Sequence, residues 1–350
     1  MAIQRLRSTV YVVGAGFSKG CGYPLTKELL PNVWSRLGKG DKNALGKIVR
    51  FHHPQFDPER PGSFPGIEEL LTEIAVNLDL FESSRWRQGA LGKDALVGAH
   101  QALLGEIAVW FHELFDKASA APWLKSFVER LRNEDAGIVS FNWDLLLDEA
   151  LFGSNVNGAS YGLQRDLPKR GPLILKPHGS LNWYLADDIQ AVAASRRRSL
   201  FEADDPQEDV EAFVLPRTIR SKAERTYTPL LVAPTYLKDF RRPIFRRLWR
   251  HSTDLLSTPE RIIFLGYSLP KDDLQARFIL RCGFHNQLKG ILKGRRSSGA
   301  SLRGDPTGNA EVVVVDPDKE AAKRIRGVVN LDIKLKHFKG TVEEWLESEQ

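Results

Sequence analysis

An α/β fold built on a doubly wound parallel sheet is what this sequence predicts, and three observations carry the expectation. A β-branched run, Thr9-Val10-Tyr11-Val12-Val13, stops at Gly14-Ala15-Gly16 and gives way to helical residues, so the chain opens as strand, tight turn, helix. Further short apolar runs at 138–142, 173–175, 230–234, 261–265 and 310–315 alternate with helical stretches, the pattern of parallel strands joined by crossover helices. Polar and glycine residues collect where those runs end: Gly14 to Ser18, Asn142, His178, Gly266 to Ser268, and Asp316. Open α/β sheets bind ligands at the carboxyl ends of their strands, so these residues are the candidate site.

The first turn sets the chemistry to look for. Glycines at 14 and 16 let the backbone turn sharply and let a diphosphate approach the main chain, and a helix start beside such a turn attracts anions. Gly-x-Gly alone is a weak signal. The dinucleotide fingerprint has a third glycine where this chain has Lys19, and a second strand ending in an acid about twenty residues on. Residues 31–55 show no such strand, which disfavours an ordinary Rossmann dehydrogenase.

From Leu25 to about Leu131 the pattern is mostly helical, at 67–75, 96–115 and 122–131, the last opened by Pro122 where a helix tolerates proline. We read about 31–131 as a helical cap inserted beside the sheet. A breaker-rich loop at 52–62 interrupts it, and His52-His53 there have no cysteine or further histidine at ligand spacing, so no metal is expected. The strand at 138–142 precedes a helix over 145–151 that Asp144 is placed to cap. Residues 186–227 are a variable insertion whose charge runs, Arg196 to Arg198 and 202–206, predict a solvated face. Arg241-Arg242 and Arg246-Arg247 lie on a helix reaching Leu256; water is its default neighbour, a partner or an anionic ligand the alternatives. A helix over 273–282 follows the run at 261–265, residues 293–309 are Gly/Ser/Arg-rich and predict a loop, and 341–350 form a terminal helix. One domain over 1–340 is expected, its sheet drawn from about 8–30, 132–185 and 228–320.

Composition narrows the class. The chain has 350 residues, 42% hydrophobic and 27% charged, enough for a sizeable core. A net charge of +6 suits anionic ligands but is too mild to demand nucleic acid, and the arginine pairs lack interleaved aromatics. Two cysteines, Cys21 and Cys282, exclude a disulfide framework, and Cys21 reads as a packed small residue because no histidine or acid lies near it in sequence. With no leader pattern and no apolar run of membrane-spanning length, a cytoplasmic location is expected and no membrane contact.

Three motifs in order, Gly14-Ala15-Gly16-x-Ser18 with Gly22-x-Pro24, then Asn142-x-Asp144, then His178-Gly179, resemble the sirtuin family, and more closely the bacterial SIR2-like domains that hydrolyse NAD in antiphage defence. The resemblance runs from about residue 8 to 320. It implies a Rossmann-like sheet with NAD as the substrate. It further implies that Asn142 orients water and the nicotinamide ribose, that His178 acts on the ribose hydroxyls, and that Asp144 supports them. Gly14, Ala15, Gly16 and Ser18 would match the diphosphate loop, with Phe17 covering the ribose–nicotinamide edge. Gly266, Ser268 and Asp316 would line the phosphate and adenosine half, although Asp316 ahead of Pro317 also reads as a plain turn former.

Two departures matter. Sirtuin deacylases hold a structural zinc with two Cys-x-x-Cys pairs, and two cysteines in all leave that zinc module out. Where deacylases carry Asp-Phe-Arg after the Gly-x-Pro turn, this chain has Leu25-Thr26-Lys27. Both departures favour water as acceptor. The reading is therefore an NAD hydrolase releasing nicotinamide and ADP-ribose. A neutral histidine suits the proton transfer such a cleavage needs. An asparagine amide can donate to a ribose hydroxyl and accept from water at once. The alternatives are a non-catalytic NAD or ADP-ribose sensor and an NAD-dependent deacylase or ADP-ribosyltransferase. The resemblance also implies restraint by homo-oligomer assembly or by a separate partner such as a HerA-type ATPase or an Argonaute-like protein, since the chain has no P-loop of its own.

Overall fold

The computed structural model describes residues 7–80, 92–134, 136–164, 166–168, 170–185, 198–199, 212–215, 229–231, 242–271, 273–289 and 310–349. Its elements, in chain order, are β1 (Thr9–Val13), α1 (Ala15–Lys19), α2 (Thr26–Arg36), α3 (Lys39–His52), α4 (Ile67–Leu80), α5 (Lys93–Ala118), α6 (Pro122–Asn133), β2 (Gly137–Ser140), α7 (Leu146–Phe152) and β3 (Leu173–Leu175). There follow β4 (Trp183–Leu185), β5 (Arg198–Ser199), β6 (Ala212–Val214), α8 (Pro243–Leu256), β7 (Arg261–Leu265), α9 (Leu274–Lys289), β8 (Glu311–Val315), α10 (Lys319–Arg326), β9 (Leu335–Phe338) and α11 (Val342–Ser348).

The main sheet has six parallel strands in the order β3-β2-β1-β7-β8-β9. The chain winds outward from β1 in one direction through β2 and β3, then returns to add β7, β8 and β9 on the other side. This is the doubly wound order, and its switch point lies between β1 and β7. Strand residues alternate between two apolar layers. Tyr11, Val13, Ile138, Ile174, Ile263, Leu265, Val313 and Val315 face a cluster shared with α2 to α7 and α11. Val10, Val12, Val139, Leu173, Leu175, Ile262, Phe264, Val312 and Val314 face a second cluster with α8, α9 and α10. Burial on both faces is why the strands read as continuous apolar runs rather than alternating ones.

Several expectations change at this level. The helical block between β1 and β2 is one whole layer of the sandwich, sharing a core with the sheet face, because α2, α4 and α6 each turn an apolar stripe inward. α1 starts at Ala15, directly after Gly14, so the first turn is tighter than an open loop. In the expected strand at 230–234, Leu230 and Leu231 are described; Leu231 makes an isolated antiparallel bridge to Gly179, and 232–234 lie outside the described residues. The charge run at 202–206, most of the insertion at 186–227 and the segment 293–309 also lie outside them. On α8, Arg246 is exposed as expected, but Arg247 is buried and its Nη1 donates to the Leu163 carbonyl at 2.5 Å, since the helix lays that face on residues 162–163, where His251 also meets the Gly162 carbonyl. A small antiparallel sheet, β4-β6-β5, a further helix α10 and the edge strand β9 complete the fold. Among the described residues no helix is long and apolar enough to cross a membrane.

Candidate functional site

The tips of β1 and β7 meet through glycine. A Cβ on Gly14 would lie 2.6 Å from Cα of Tyr267, and one on Gly16 would lie 2.8 Å from Cα of Gly266. Gly266 itself has φ +57, and a Cβ there would lie 2.3 Å from the Phe17 nitrogen. The three glycines therefore let two strand ends pack backbone to backbone, closed by Gly16 N–H donating to the Gly266 carbonyl at 2.9 Å and Gly14 N–H to that of Leu265 at 3.1 Å. The Gly16 amide expected to face a diphosphate is thus bonded inside the protein.

At the tip of β2, Asn142 is 9% exposed and held by both of its donors. Its Nδ2 donates to the Gly14 carbonyl at 2.9 Å and to Ser18 Oγ at 3.0 Å. The carbonyl partner fixes which amide atom is nitrogen, so the side chain has Oδ1 left, and among the described residues no donor reaches it. The expectation that Asn142 both donates to a sugar and accepts from water is corrected on the donor side: both N–H groups are spent in holding β2 to the β1–α1 turn. Ser18 passes its own proton on, donating to Asp144 Oδ2 at 2.7 Å, while Asp144 Oδ1 accepts from Leu146 N–H at 3.1 Å at the start of α7. Ser18 is 2% exposed, so it acts as a strut between Asn142 and Asp144 instead of a phosphate ligand. The N-cap position of α7 is Leu145, so Asp144 stands one residue ahead of it and still satisfies the first helical amide. Burial pushes its carboxyl above the usual range, against the pull of Lys176, Ser18 and the Leu146 amide.

Phe17 is corrected outright. Its ring is fully buried, with centroids 5.1 Å from Trp123 and 5.4 Å from Phe127, because the first turn of α1 points residue 17 into the helical layer. No part of it is open to cover a ribose.

Behind these residues lies a polar network that the sequence reading missed. Lys176, directly after β3, has no exposed surface. Its Nζ donates to the Asp144 carbonyl at 2.6 Å and lies 3.2 Å from both carboxylate oxygens of Asp148 on α7. Tyr161 Oη donates to Asp148 Oδ1 at 2.6 Å, and Asn182 Nδ2 donates to Tyr161 Oη at 3.0 Å. The buried charge is thereby paired and its donors are satisfied, which is what makes an interior lysine tolerable. The available signal was a lysine following Leu173-Ile174-Leu175 without a break, followed at once by Pro177.

His178 sits in the turn after β3, 5% exposed. Gly179, at φ +80, makes that turn possible and lets Leu230 and Leu231 approach, since a Cβ would lie 2.3 Å from the Leu230 carbonyl oxygen. The imidazole is walled by aromatics: its centroid is 5.0 Å from Phe141 and 6.3 Å from Trp249, and Phe141 in turn stacks on Tyr267 at 4.5 Å and 11°. Its Nε2 lies 3.3 Å from Oδ2 of Asp273, which is 6% exposed in the loop before α9. Asp273 also sits beside Tyr267, whose phenol is pushed well above its usual range by burial first and then by that charge. Asp273 was read from sequence only as a helix start, and its Oδ1 does accept from Ala276 N–H at 3.1 Å. Asn142 and His178 thus stand at adjacent strand tips joined through Phe141, one turned to the β1–α1 turn, the other to β7 and α9.

The remaining predicted residues have structural partners. Arg324 Nε donates to the Ser268 carbonyl at 2.7 Å. Asp316 Oδ1 accepts from Asp318 N–H at 2.8 Å and its backbone carbonyl accepts a hydrogen bond from His337 Nε2 at 2.8 Å, the turn-former reading of this position. A small apolar pocket lined by Tyr23, Phe111, His112 and Leu181 lies against α5, and none of the predicted site residues lines it.

No family model and no curated protein matches this chain. Solved structures that are similar to it include a Sir2 enzyme at 14% identity and TM-score 0.43, covering 99% of this chain and 92% of that one. A Sir2 homologue variant in complex with 2′-O-acetyl ADP-ribose has 13% identity and TM-score 0.40, covering 99% and 92%. Another, bound to ADP-ribose, has 12% identity and TM-score 0.39, covering 99% and 91%. At that similarity the neighbours fix neither a family nor a reaction for this chain.

Proposed function

We propose that this chain takes NAD at the tips of β1, β2, β3 and β7 and hydrolyses the bond between nicotinamide and ribose, releasing nicotinamide and ADP-ribose. The observation that carries the reading is the His178–Asp273 pair, a buried imidazole with a carboxylate 3.3 Å from Nε2, one strand away from Asn142 and its remaining acceptor oxygen. An imidazole backed by a carboxylate can take a proton from a sugar hydroxyl or water, and an amide oxygen can orient that water. The donor set suits the sugar half of a dinucleotide better than the diphosphate half, because Gly16 N–H and the Ser18 hydroxyl are used internally. Water as acceptor is favoured by the missing zinc cysteines and by Leu25-Thr26-Lys27 where the sirtuin deacylases this chain resembles carry Asp-Phe-Arg. An NAD-depleting role in antiviral defence, restrained by assembly or by a separate ATPase or Argonaute-like partner, completes the proposal.

Chromatography of NAD incubated with the protein, alone and with candidate partners, tests it. Nicotinamide release is expected, and Asn142→Ala or His178→Ala is expected to slow it by about a hundredfold or more. Asp273→Asn is expected to lower turnover and shift its pH profile. Wild-type turnover in both alanine variants would move the chemistry elsewhere in the molecule. The internal use of the Asn142 and Ser18 donors favours one other reading, a sensor that binds NAD or ADP-ribose without turnover. Calorimetric binding with no nicotinamide released under any assembly would select it.

A further inference from the structure

A second cluster of chemistry-bearing side chains lies in the helical layer, away from the strand tips. α3 ends at His52, and His53 follows as its cap. α4 carries Glu69 and Glu73 one turn apart, hence on one helix face. His53 Nε2 lies 3.1 Å from Glu73 Oε2, and one ligand atom from each of His53, Glu69 and Glu73 falls within 4.8 Å of the others. A transition ion at about 2.0–2.2 Å from each donor holds donor pairs roughly 3–3.5 Å apart, so small rotamer adjustments bring the three into range.

The orientation of His52 is an independent observation. Asn77, one turn further along α4, donates through Nδ2 to the Glu73 carbonyl at 2.8 Å, and that same nitrogen is 2.8 Å from His52 Nε2. An amide NH2 only donates, so His52 Nε2 accepts and its proton sits on Nδ1, which lies 3.8 Å from Glu73 Oε1. One oxygen of Glu73 is thus turned to the protonated nitrogen of His52, and the other to His53. At 3.8 Å the His52 contact is a dipole facing the carboxylate and not a hydrogen bond, and an N–H turned to a carboxylate is an orientation that the surroundings of metal ligands use. A plain His53–Glu73 ion pair accounts for only part of this, because it leaves Glu69 beside Glu73 as like charges four residues apart on a helix, which is unfavourable.

We propose that His53, Glu69 and Glu73 bind one divalent first-row transition ion of the Zn2+ class, tying the turn after α3 to α4. One imidazole with two carboxylates suits such borderline ions better than Mg2+ or Ca2+, which take oxygen alone, or Cu+, which takes sulfur. Glu69 is exposed and the other two ligands are half-buried, so water completes the coordination. The spacing of His52-His53 gave no reason to expect a metal, since the carboxylates come from the next helix. The site is independent of the NAD reading.

Titration of the full chain, stripped with chelator, with ZnCl2 and in parallel with MgCl2 tests the proposal. One equivalent of Zn2+ is expected to bind, raising the thermal midpoint by a few degrees at about a hundredfold excess over Kd, with no Mg2+ response. Glu69→Gln, at an exposed position that leaves the fold intact, and His53→Ala are each expected to weaken Zn2+ binding by about tenfold or more and to remove the midpoint rise. His285→Ala, on the exposed face of α9, is expected to change nothing. Absence of stoichiometric Zn2+ binding, or wild-type binding in both Glu69→Gln and His53→Ala, would overturn the assignment.

Discussion

Replacing Gly266 by alanine addresses the contact on which the strand tips depend. The residue has φ +57, where a side chain costs about 1–2 kcal/mol. The added Cβ would lie 2.3 Å from the Phe17 nitrogen, 2.4 Å from the Gly16 carbonyl carbon and 2.6 Å from Gly16 Cα. All three are backbone atoms, so no rotamer change relieves the clash, and the end of β7 has to move away from the β1–α1 turn. That movement breaks the 2.9 Å bond from Gly16 N–H to the Gly266 carbonyl. A buried donor left unpaired costs about 1–3 kcal/mol. Gly266→Ala is therefore expected to lose about 3 kcal/mol or more of unfolding free energy. Gly22 supplies the control: its φ is +91, but a Cβ there meets nothing within 4 Å, so Gly22→Ala carries the backbone cost alone. Urea unfolding of the two variants at equal slope measures the difference. If Gly266→Ala came within about 0.5 kcal/mol of Gly22→Ala, close backbone packing would not be what places glycine at these tips.

Three further outcomes follow from the same coordinates. Lys176→Met removes the cation between Asp148 and the Asp144 carbonyl and is expected to cost about 3–5 kcal/mol, with a double change that also makes Asp148 leucine recovering part of it, as read by thermal or urea unfolding. Burial first, then the charges of Asp144 and Glu343, push the Cys21 thiol up to about 12, so its alkylation by iodoacetamide at pH 8 is expected to run about a thousandfold slower than that of a free thiol; labelling at the free-thiol rate, read by mass spectrometry, would contradict this. Folding raises the Asp144 carboxyl, so the folded state holds its proton to higher pH than the unfolded chain, and this group's contribution to stability falls as pH rises from the ordinary carboxylate value to the raised one. Asp144→Asn is expected to flatten that part of the profile, measured as urea midpoints between pH 4 and 7, and an unchanged slope would count against the assignment.

The local order of the chain was written in the sequence. Strands buried on both faces are continuous apolar runs, so Thr9–Val13, Arg261–Leu265 and Glu311–Val315 announced themselves, and amphipathic spacing announced α4, α5 and α6. Parallel strands joined by helices put the polar residues that follow them at one edge of the sheet, which is why Asn142 and His178 could be named in advance. The edge strand β9 was not legible, because a half-exposed strand containing Lys336 and His337 has no apolar run to betray it.

What each candidate does was decided only by the tertiary structure. Spacing along the chain does not say which way a side chain turns, and it was direction that sent Phe17 into the helical layer and spent Ser18 and both Asn142 donors on neighbours brought in by other strands. Pairs such as His178 with Asp273, Lys176 with Asp148, and His53 with Glu73 join separate elements whose packing, not whose sequence pattern, brings them together. The sequence set the period and polarity of each element; contact between distant elements, a property of the packed sheet and its two helical layers, set the chemistry.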